Sequence, residues 1–298
     1  DVYKRQINVS LGTTKSKSES KSTTTVANGS EVKAGGDVNV TSTKKDINII
    51  GSNVEGKDVT LNAKENLTIT ASKNTNKTEQ SSKSSSASVG ASFDIATGQV
   101  SSVTISGSKS KGEVDANSTS YNESTVKADK NLDFTSGKDT NIKGGELSGE
   151  KVTGNVGKDL NIESKQDKNS YKEKNSSAGF GVGVDLSGKN KKDGIVTADK
   201  KDKVNNANKT GIFGSAIKSN VDSNYKSVTD QSGIYAGKEG FEINIGENTD
   251  LKGGIISSTS DADKNKLSTG TLTFEDIENK ADYKAGSIGI NVDTSKNA

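Results

Sequence analysis

The chain contains no cysteine, histidine, proline, tryptophan or methionine. Without cysteine there is no disulfide framework and no thiolate chemistry. With histidine also missing, general-base and nucleophile roles fall to Asp, Glu, Lys, Tyr, Ser or Thr. A chain free of proline keeps every backbone N–H available to a ladder of paired strands. No sign of charge prevails, since 41 Lys and Arg face 39 Asp and Glu for a formal +2. The clusters at residues 189–192 and 200–203 show the mixing, their lysines lying beside Asp193, Asp199 and Asp202. A nucleic-acid partner needs a one-signed stripe with interleaved aromatics, and neither is present. Aromatics make up 4%, and Ile, Leu, Val and Phe together number 58 of 298. So thin an apolar supply approaches disorder, but the small net charge points to a structured chain with a narrow core. No apolar run has the length of a membrane-spanning helix, and no signal peptide is visible. The missing initiator methionine marks an internal or processed piece of something longer. Residues 1–6 (DVYKRQ) fit no repeat and read as an artefactual or unstructured tail.

What is present is repetition. Asp46-Ile47-Asn48-Ile49 returns as Asp139-Thr140-Asn141-Ile142, and Asn66-Leu67-Thr68-Ile69 as Asp159-Leu160-Asn161-Ile162, each 93 positions later. Gly51-Ser52-Asn53-Val54 and Gly144-Gly145-Glu146-Leu147 share that offset. Gly240-Phe241-Glu242-Ile243 and Thr249-Asp250-Leu251-Lys252-Gly253-Gly254 echo the second copy about 109 positions on. A chain that repeats itself is built by stacking. The units expected are residues 7–118, residues 119–226 with a polar insert, and residues 227–298.

Inside the first unit a shorter period appears. Asp37-Val38-Asn39-Val40, Asp46-Ile47-Asn48-Ile49, Asp58-Val59-Thr60-Leu61 and Asn66-Leu67-Thr68-Ile69 alternate apolar with polar, the mark of half-buried strands. Two such strands with their turns fill about 20 residues, the size of one coil of a right-handed parallel β-helix. The expected fold is therefore all-β, a solenoid of ten or so coils with β-hairpin or extra-strand inserts and polar loops. Val38, Val40, Ile47, Ile49, Val59, Leu61, Leu67 and Ile69 should point inward, and Asn39, Asn48, Thr60 and Thr68 toward water. Gly35, Gly36, Gly51 and Gly56 supply turns.

A second class of segment alternates small with apolar residues: 7–11, 87–93, 178–186 and 287–292. Residues 103–110 read as a strand returning from Phe93 through a Thr97-Gly98 turn. The Ser/Lys/Asn/Thr-rich stretches 13–25, 74–86, 167–177 and 188–208 read as solvated loops or extended edges. Residues 212–217 are expected to form a short helix.

The units resemble the haemagglutinin repeats of two-partner-secretion exoproteins, the filamentous haemagglutinins and contact-dependent growth-inhibition proteins. Gly29-Ser30-Glu31-Val32-Lys33-Ala34-Gly35-Gly36-Asp37-Val38 and Gly51-Ser52-Asn53-Val54-Glu55-Gly56-Lys57-Asp58-Val59 carry the resemblance. The third copy carries it further, in Ser232-Gly233-Ile234-Tyr235-Ala236-Gly237, Asn248-Thr249-Asp250-Leu251-Lys252-Gly253-Gly254 and Phe274-Glu275-Asp276-Ile277-Glu278-Asn279-Lys280-Ala281. It spans residues 7–292 apart from the insert around 188–224. The resemblance implies a secreted, surface-displayed β-helical filament of a Gram-negative bacterium, exported through an outer-membrane transporter. In the growth-inhibition branch it implies a segment that helps carry a toxin across a target cell's outer membrane. The chain shows no secretion domain, receptor-binding segment, pre-toxin motif or toxin, so the cargo stays open.

No residue set earns a catalytic, cofactor-binding or metal assignment. Glu275 and Asp276 are adjacent, which on a strand puts them on opposite faces. Asp261-x-Asp263-x-Asn265 opens like a calcium loop, but Lys266 and Leu272 stand where Gly and Glu are required. Gly179-x-Gly181-x-Gly183 lacks the spacing and context of a phosphate loop. The Asx residues before the strands (Asp37, Asp46, Asp58, Asn66, Asp139, Asp159) are expected to cap their own turns rather than form a metal ladder. Tyr121, Tyr171, Tyr225, Tyr235 and Tyr283 follow no coil period and read as rim packing rather than a carbohydrate site. The expected function is a non-enzymatic structural and interaction segment of an adhesin or toxin-delivery exoprotein, partnered by the target-cell surface and the rest of its parent. The alternatives are a β-helical polysaccharide-degrading enzyme and a membrane-inserting translocation segment.

Overall fold

The computed structural model describes residues 6–95, 98–186 and 210–294. The insert at 188–208 and Thr97 lie outside the described residues. Every described regular element is a strand except one 3₁₀ turn, Ala262–Lys264. In chain order a long arm, β1 (Gln6–Thr25), leads into a first cycle of β2 (Glu31–Lys33), β3 (Val38–Ser42) and β4 (Ile47–Ile50). The second cycle is β5 (Asn53–Gly56), β6 (Val59–Ala63) and β7 (Leu67–Thr70), followed by arms β8 (Ser72–Asp94) and β9 (Val100–Asn122). The third is β10 (Ser124–Ala128), β11 (Asn131–Ser136) and β12 (Thr140–Lys143). In the fourth, β13 (Gly145–Val156) covers two sides and β14 (Leu160–Glu163) the third, before arms β15 (Gln166–Asp185) and β16 (Thr210–Val228). The fifth is β17 (Gly233–Ile245) with β18 (Asn248–Lys252). The sixth is β19 (Ile255–Ser258), β20 (Lys266–Ser268) and β21 (Thr271–Glu275), and the last arm is β22 (Lys280–Asp293).

Each side of a cycle pairs in parallel with the same side of the next. One column runs Val38, Val59, Leu132, Val152, Phe241, and another Ile49, Ile69, Ile142, Ile162, Leu251, Phe274. A third runs Val32, Val54, Val126, Leu147, Ile234, Ile256. The middle of the stack is dry: Val59, Leu61, Leu67, Ile69, Leu132, Leu147 and Ile234 are 0% exposed. At about 1.5–3 kcal/mol per buried aliphatic side chain, these columns are the main source of stability. They weaken at the ends, where Phe274 is 73% exposed, as expected when terminal repeats lack a neighbour. Of the eight residues expected inside, seven are buried and Val40 packs half-buried against the core. Gly154 exists for packing: it stands beside Phe134 in the ladder, and a Cβ there would meet the Phe134 ring. Gly51, Gly144 and Gly253, at φ 54, 72 and 57, turn the chain from the first to the second cycle of each pair, where positive φ excludes most residues.

The described residues form six cycles, not ten. Stretches expected as further coils or loops are spent on the arms, which form a six-stranded antiparallel meander, β1-β8-β9-β15-β16-β22. Residues 13–25, 74–86 and 167–177 are thus strand, the first in the edge strand β1, as the extended-edge alternative has it, and the others in the inner strands β8 and β15. Residues 212–217 are strand as well, not helix. Ile212, Phe213, Ala216 and Ile217 have helical spacing, but in β16 Ile212 faces Val182 while Phe213 packs over Gly181 on the opposite face.

Arms and cycles advance together. Thr70, Lys143, Glu163, Lys252 and Glu275 share one column of the cycles. Five residues after Thr70, Glu163 and Glu275 come Thr75, Lys168 and Lys280, all in one row of the arm sheet, Thr25-Thr75-Thr119-Lys168-Lys226-Lys280. Six cycles therefore match six arms, one strand spacing each. The stack is about 24 Å tall, whereas arms of 20–23 residues reach about 70 Å.

Candidate functional site

The residues singled out in the sequence do not converge. Glu275 lies in β21 and pairs with Lys252 at 2.6 Å, while Asp276 falls beyond the strand. Asn265 is occupied by backbone, accepting from Phe241 N at 3.3 Å and donating to Asp261 O at 3.0 Å. Gly181 leaves room for the Phe213 ring. Tyr171 donates to Glu173 and Tyr235 to the Gln231 carbonyl, each at 2.7 Å. Tyr283 is 74% exposed on β22, so rim packing does not describe it.

Asp46, Asp58, Asn66, Asp139 and Asp159 bond between cycles rather than within their own turns. Asp46 Oδ1 accepts from both the backbone N and Nδ2 of Asn66, at 2.9 Å each, 20 residues on. Asn66 then accepts from Asp139 N, Asp139 from Asp159 N, and Asp159 from Asn248 N and Nδ2. The chain of bonds ends with Thr271 donating to Asn248. Asp58 and Asn131 repeat the motif at a second corner. The bonds from Asn66 and Asn131 hold the Asp46 and Asp58 carboxyls below their ordinary values. Sequence reasoning found these residues but assigned the wrong donor, because the accepting cycle is remote in sequence.

Carboxylates gather where arms rejoin cycles. Glu123 links β9 to β10; burial, then Asp230, Glu146 and Asp167, push it up to about 7. Asp167 is itself held by Tyr121 N at 3.1 Å and Thr229 Oγ1 at 3.2 Å. Burial, then Glu146, Glu123 and Asp230, raise the Tyr235 hydroxyl. Among the described residues no group of three His, Cys, Asp or Glu has the geometry to hold a metal ion.

The outer half of the arm sheet is the surface with chemical character. Residues opposite one another share a face, so the register sorts the side chains into rows. One face carries Leu11-Val89-Ile105-Val182-Ile212 and Val9-Ala91-Val103-Val184. The next row holds Ala87, Gly107, Phe180, Gly214 and Val292, the Phe180 ring lying over Gly107. These are exposed: Leu11 77%, Phe180 63%, Ile105 56%. The opposite face is mostly Ser and Gly, with Ser84–Ser110, Ser86–Ser108 and Ser88–Ser106 hydroxyl pairs at 2.7–2.8 Å, and carries Phe213 and Ile217 where β16 crosses it. So large an exposed apolar face marks an interaction surface. The sequence showed the alternation in each segment but not that the segments form one face.

The hemagglutinin-repeat profile matches residues 11–178, more than half of the chain. The chain belongs to the hemagglutinin-repeat family. Members are two-partner-secretion exoproteins, secreted to the cell surface of Gram-negative bacteria. The chain is 37% identical to "Toxin CdiA" of Escherichia coli over 296 residues, covering 96% of this chain and 9% of the relative. It is 35% identical to "tRNA nuclease CdiA" of Yersinia mollaretii (97% and 9%) and to "Deoxyribonuclease CdiA" of Dickeya dadantii (97% and 8%). The hemagglutinin-repeat segment thus spans less than a tenth of these relatives. No solved structure matches it.

Proposed function

We propose that this chain is a non-enzymatic structural segment of a secreted, contact-dependent toxin-delivery exoprotein, its cycles wound as a right-handed parallel β-helix. Support comes from parallel pairing that continues side by side through six cycles, with one register shift between Gly149 and Lys151, and makes a rod from backbone ladders and a thin core. The relatives' names give different activities, tRNA nuclease and deoxyribonuclease, at the same 35% identity to this chain. A segment common to both is not what distinguishes them, so the nuclease lies elsewhere in the parent. The partners are an outer-membrane transporter during export, the target-cell surface or outer membrane, and the rest of the parent. Nucleic acid is not among them. The repeat unit is two cycles with the arms that follow, giving residues 7–118, 119–226 and 227–298, the first unit also holding β1 and the third the single arm β22; the divisions fall near the ends of β9 and β16. Exchanging this segment between a tRNA-nuclease and a deoxyribonuclease relative tests the proposal. The recipient should keep its own activity, and a change in the nucleic acid cleaved would overturn the reading.

A second reading, membrane insertion during translocation, is favoured by one observation, the apolar outer face of the arm sheet opposite a face mostly of Ser and Gly. That is the two-sided pattern of strands with lipid on one side. No helix among the described residues is long and apolar enough to cross a membrane, which leaves strands as the route. Liposomes should protect the arm tips from protease while the cycles are cut. Complete cleavage of the arms in the presence of liposomes would count against insertion.

A further inference from the structure

Directly beneath the apolar rows, toward the cycles, the same face changes to lysine. Lys15 and Lys109 lie in the row of Ser85 and Ala178. Lys17, Lys83, Lys111 and Lys218 share the next row with Ser176 and Ile288. All six lysines are exposed, and these two rows contain no acid. Acid returns only one row further in, where Glu19 and Glu113 reach back to Lys17 and Lys111 at 2.6 Å each. Lys15, Lys83, Lys109 and Lys218 have no acidic partner within 4.0 Å among the described residues. The chain as a whole is nearly neutral, so this one-signed band is local rather than a by-product of composition.

We propose that the band is a headgroup-reading site: Lys15, Lys83, Lys109 and Lys218 bind the phosphates of an anionic lipid surface while the rows above them enter its hydrocarbon. The inference rests on the membrane reading and deepens it by naming the lipid class. From the row of Phe93 to that of Ala87 is six residues, about 20 Å of extended chain, so the ammonium groups sit at the boundary of the apolar band. Lysines at that level keep their alkyl stems against apolar surface and their charge in the headgroup layer. Interfaces between proteins are depleted of lysine relative to the rest of the surface, so a lysine band against an apolar face favours lipid as the occupant. The acids behind the band repel the same phosphates, which stops the sheet from settling deeper.

The test is flotation of the full 298-residue chain with phosphatidylcholine vesicles, with and without phosphatidylglycerol. The wild type should prefer the anionic vesicles and lose that preference as salt is raised. Each lysine near an anionic surface contributes about fivefold in affinity, so K15Q/K83Q/K109Q/K218Q should bind both vesicle types alike. The matching Lys→Arg variant should keep the preference, and circular dichroism checks that both variants fold. Equal wild-type binding to the two vesicles would overturn the headgroup inference and leave membrane insertion standing. Binding to neither would remove both. A preference that survives the four glutamines would also overturn it.

Discussion

The cycles and the arms are made of the same element, a β-strand in a hydrogen-bonded ladder, yet they are held together differently. A cycle strand has one face against a dry core, where Leu61, Leu132 and Leu147 lose all their exposure. An arm strand is wet on both faces, and β1 and β22 are exposed at every residue. The arms are held by backbone pairing and cross-strand side-chain pairs such as Ser84–Ser110, and only the cycles add a large hydrophobic term. The division of labour follows: the stack carries stability, and the arms present surface.

Substitutions at matched positions should separate the two regions. Phe134→Ala empties a site 1% exposed at the centre of the stack and should cost about 3–5 kcal/mol in urea unfolding. A loss under about 1 kcal/mol would mean that the core does not carry the fold. Gly154→Ala pushes a methyl into the Phe134 ring and should cost about 1–3 kcal/mol, partly recovered in a double variant with Phe134→Leu. Glu123→Gln probes the border between the regions. Its folded value of about 7 lies above the ordinary 4.5, so the folded state holds the proton more tightly. The stability this supplies is complete below about pH 4.5 and is lost as pH rises through about 7. Removing the charge should gain on the order of 1 kcal/mol at pH 8, after solvent screening of a half-exposed group, and nothing at pH 4. An equal gain at both pH values would deny the carboxylate this role. Phe180→Ala, on the arm face, should move the unfolding free energy by no more than about 0.5 kcal/mol. A loss as large as that at Phe134 would erase the distinction between stack and arm.

The same contrast explains what could be read in the sequence. Val38 to Ile69 were legible because a buried face imposes strict alternation, and stacking repeats it every 20 residues or so. The arm interiors were not, because a strand wet on both faces is under no such constraint. The Ser/Lys tracts at 13–25 and 74–86 are as extended as any core strand but resemble loops in composition. At 212–217 the apolar residues belong to two faces and imitate a helical stripe. The Asx positions were visible and their chemistry was correct, but their hydrogen bonds cross 20, 73 or 89 residues of sequence, distances no local motif reports. The apolar face and its lysine rows needed the antiparallel register, since neighbouring arms contribute only two or three residues each.

One strand of arm for every turn of the stack works like a gear ratio. A single additional turn between β1 and β8 would pull those two strands apart by one spacing and tear a slot in the sheet. Insertion of two turns together with a new hairpin keeps the teeth engaged. Filaments assembled from this unit can therefore lengthen or shorten only in even steps, and a gene that drifts by half a unit breaks its sheet before it breaks its core.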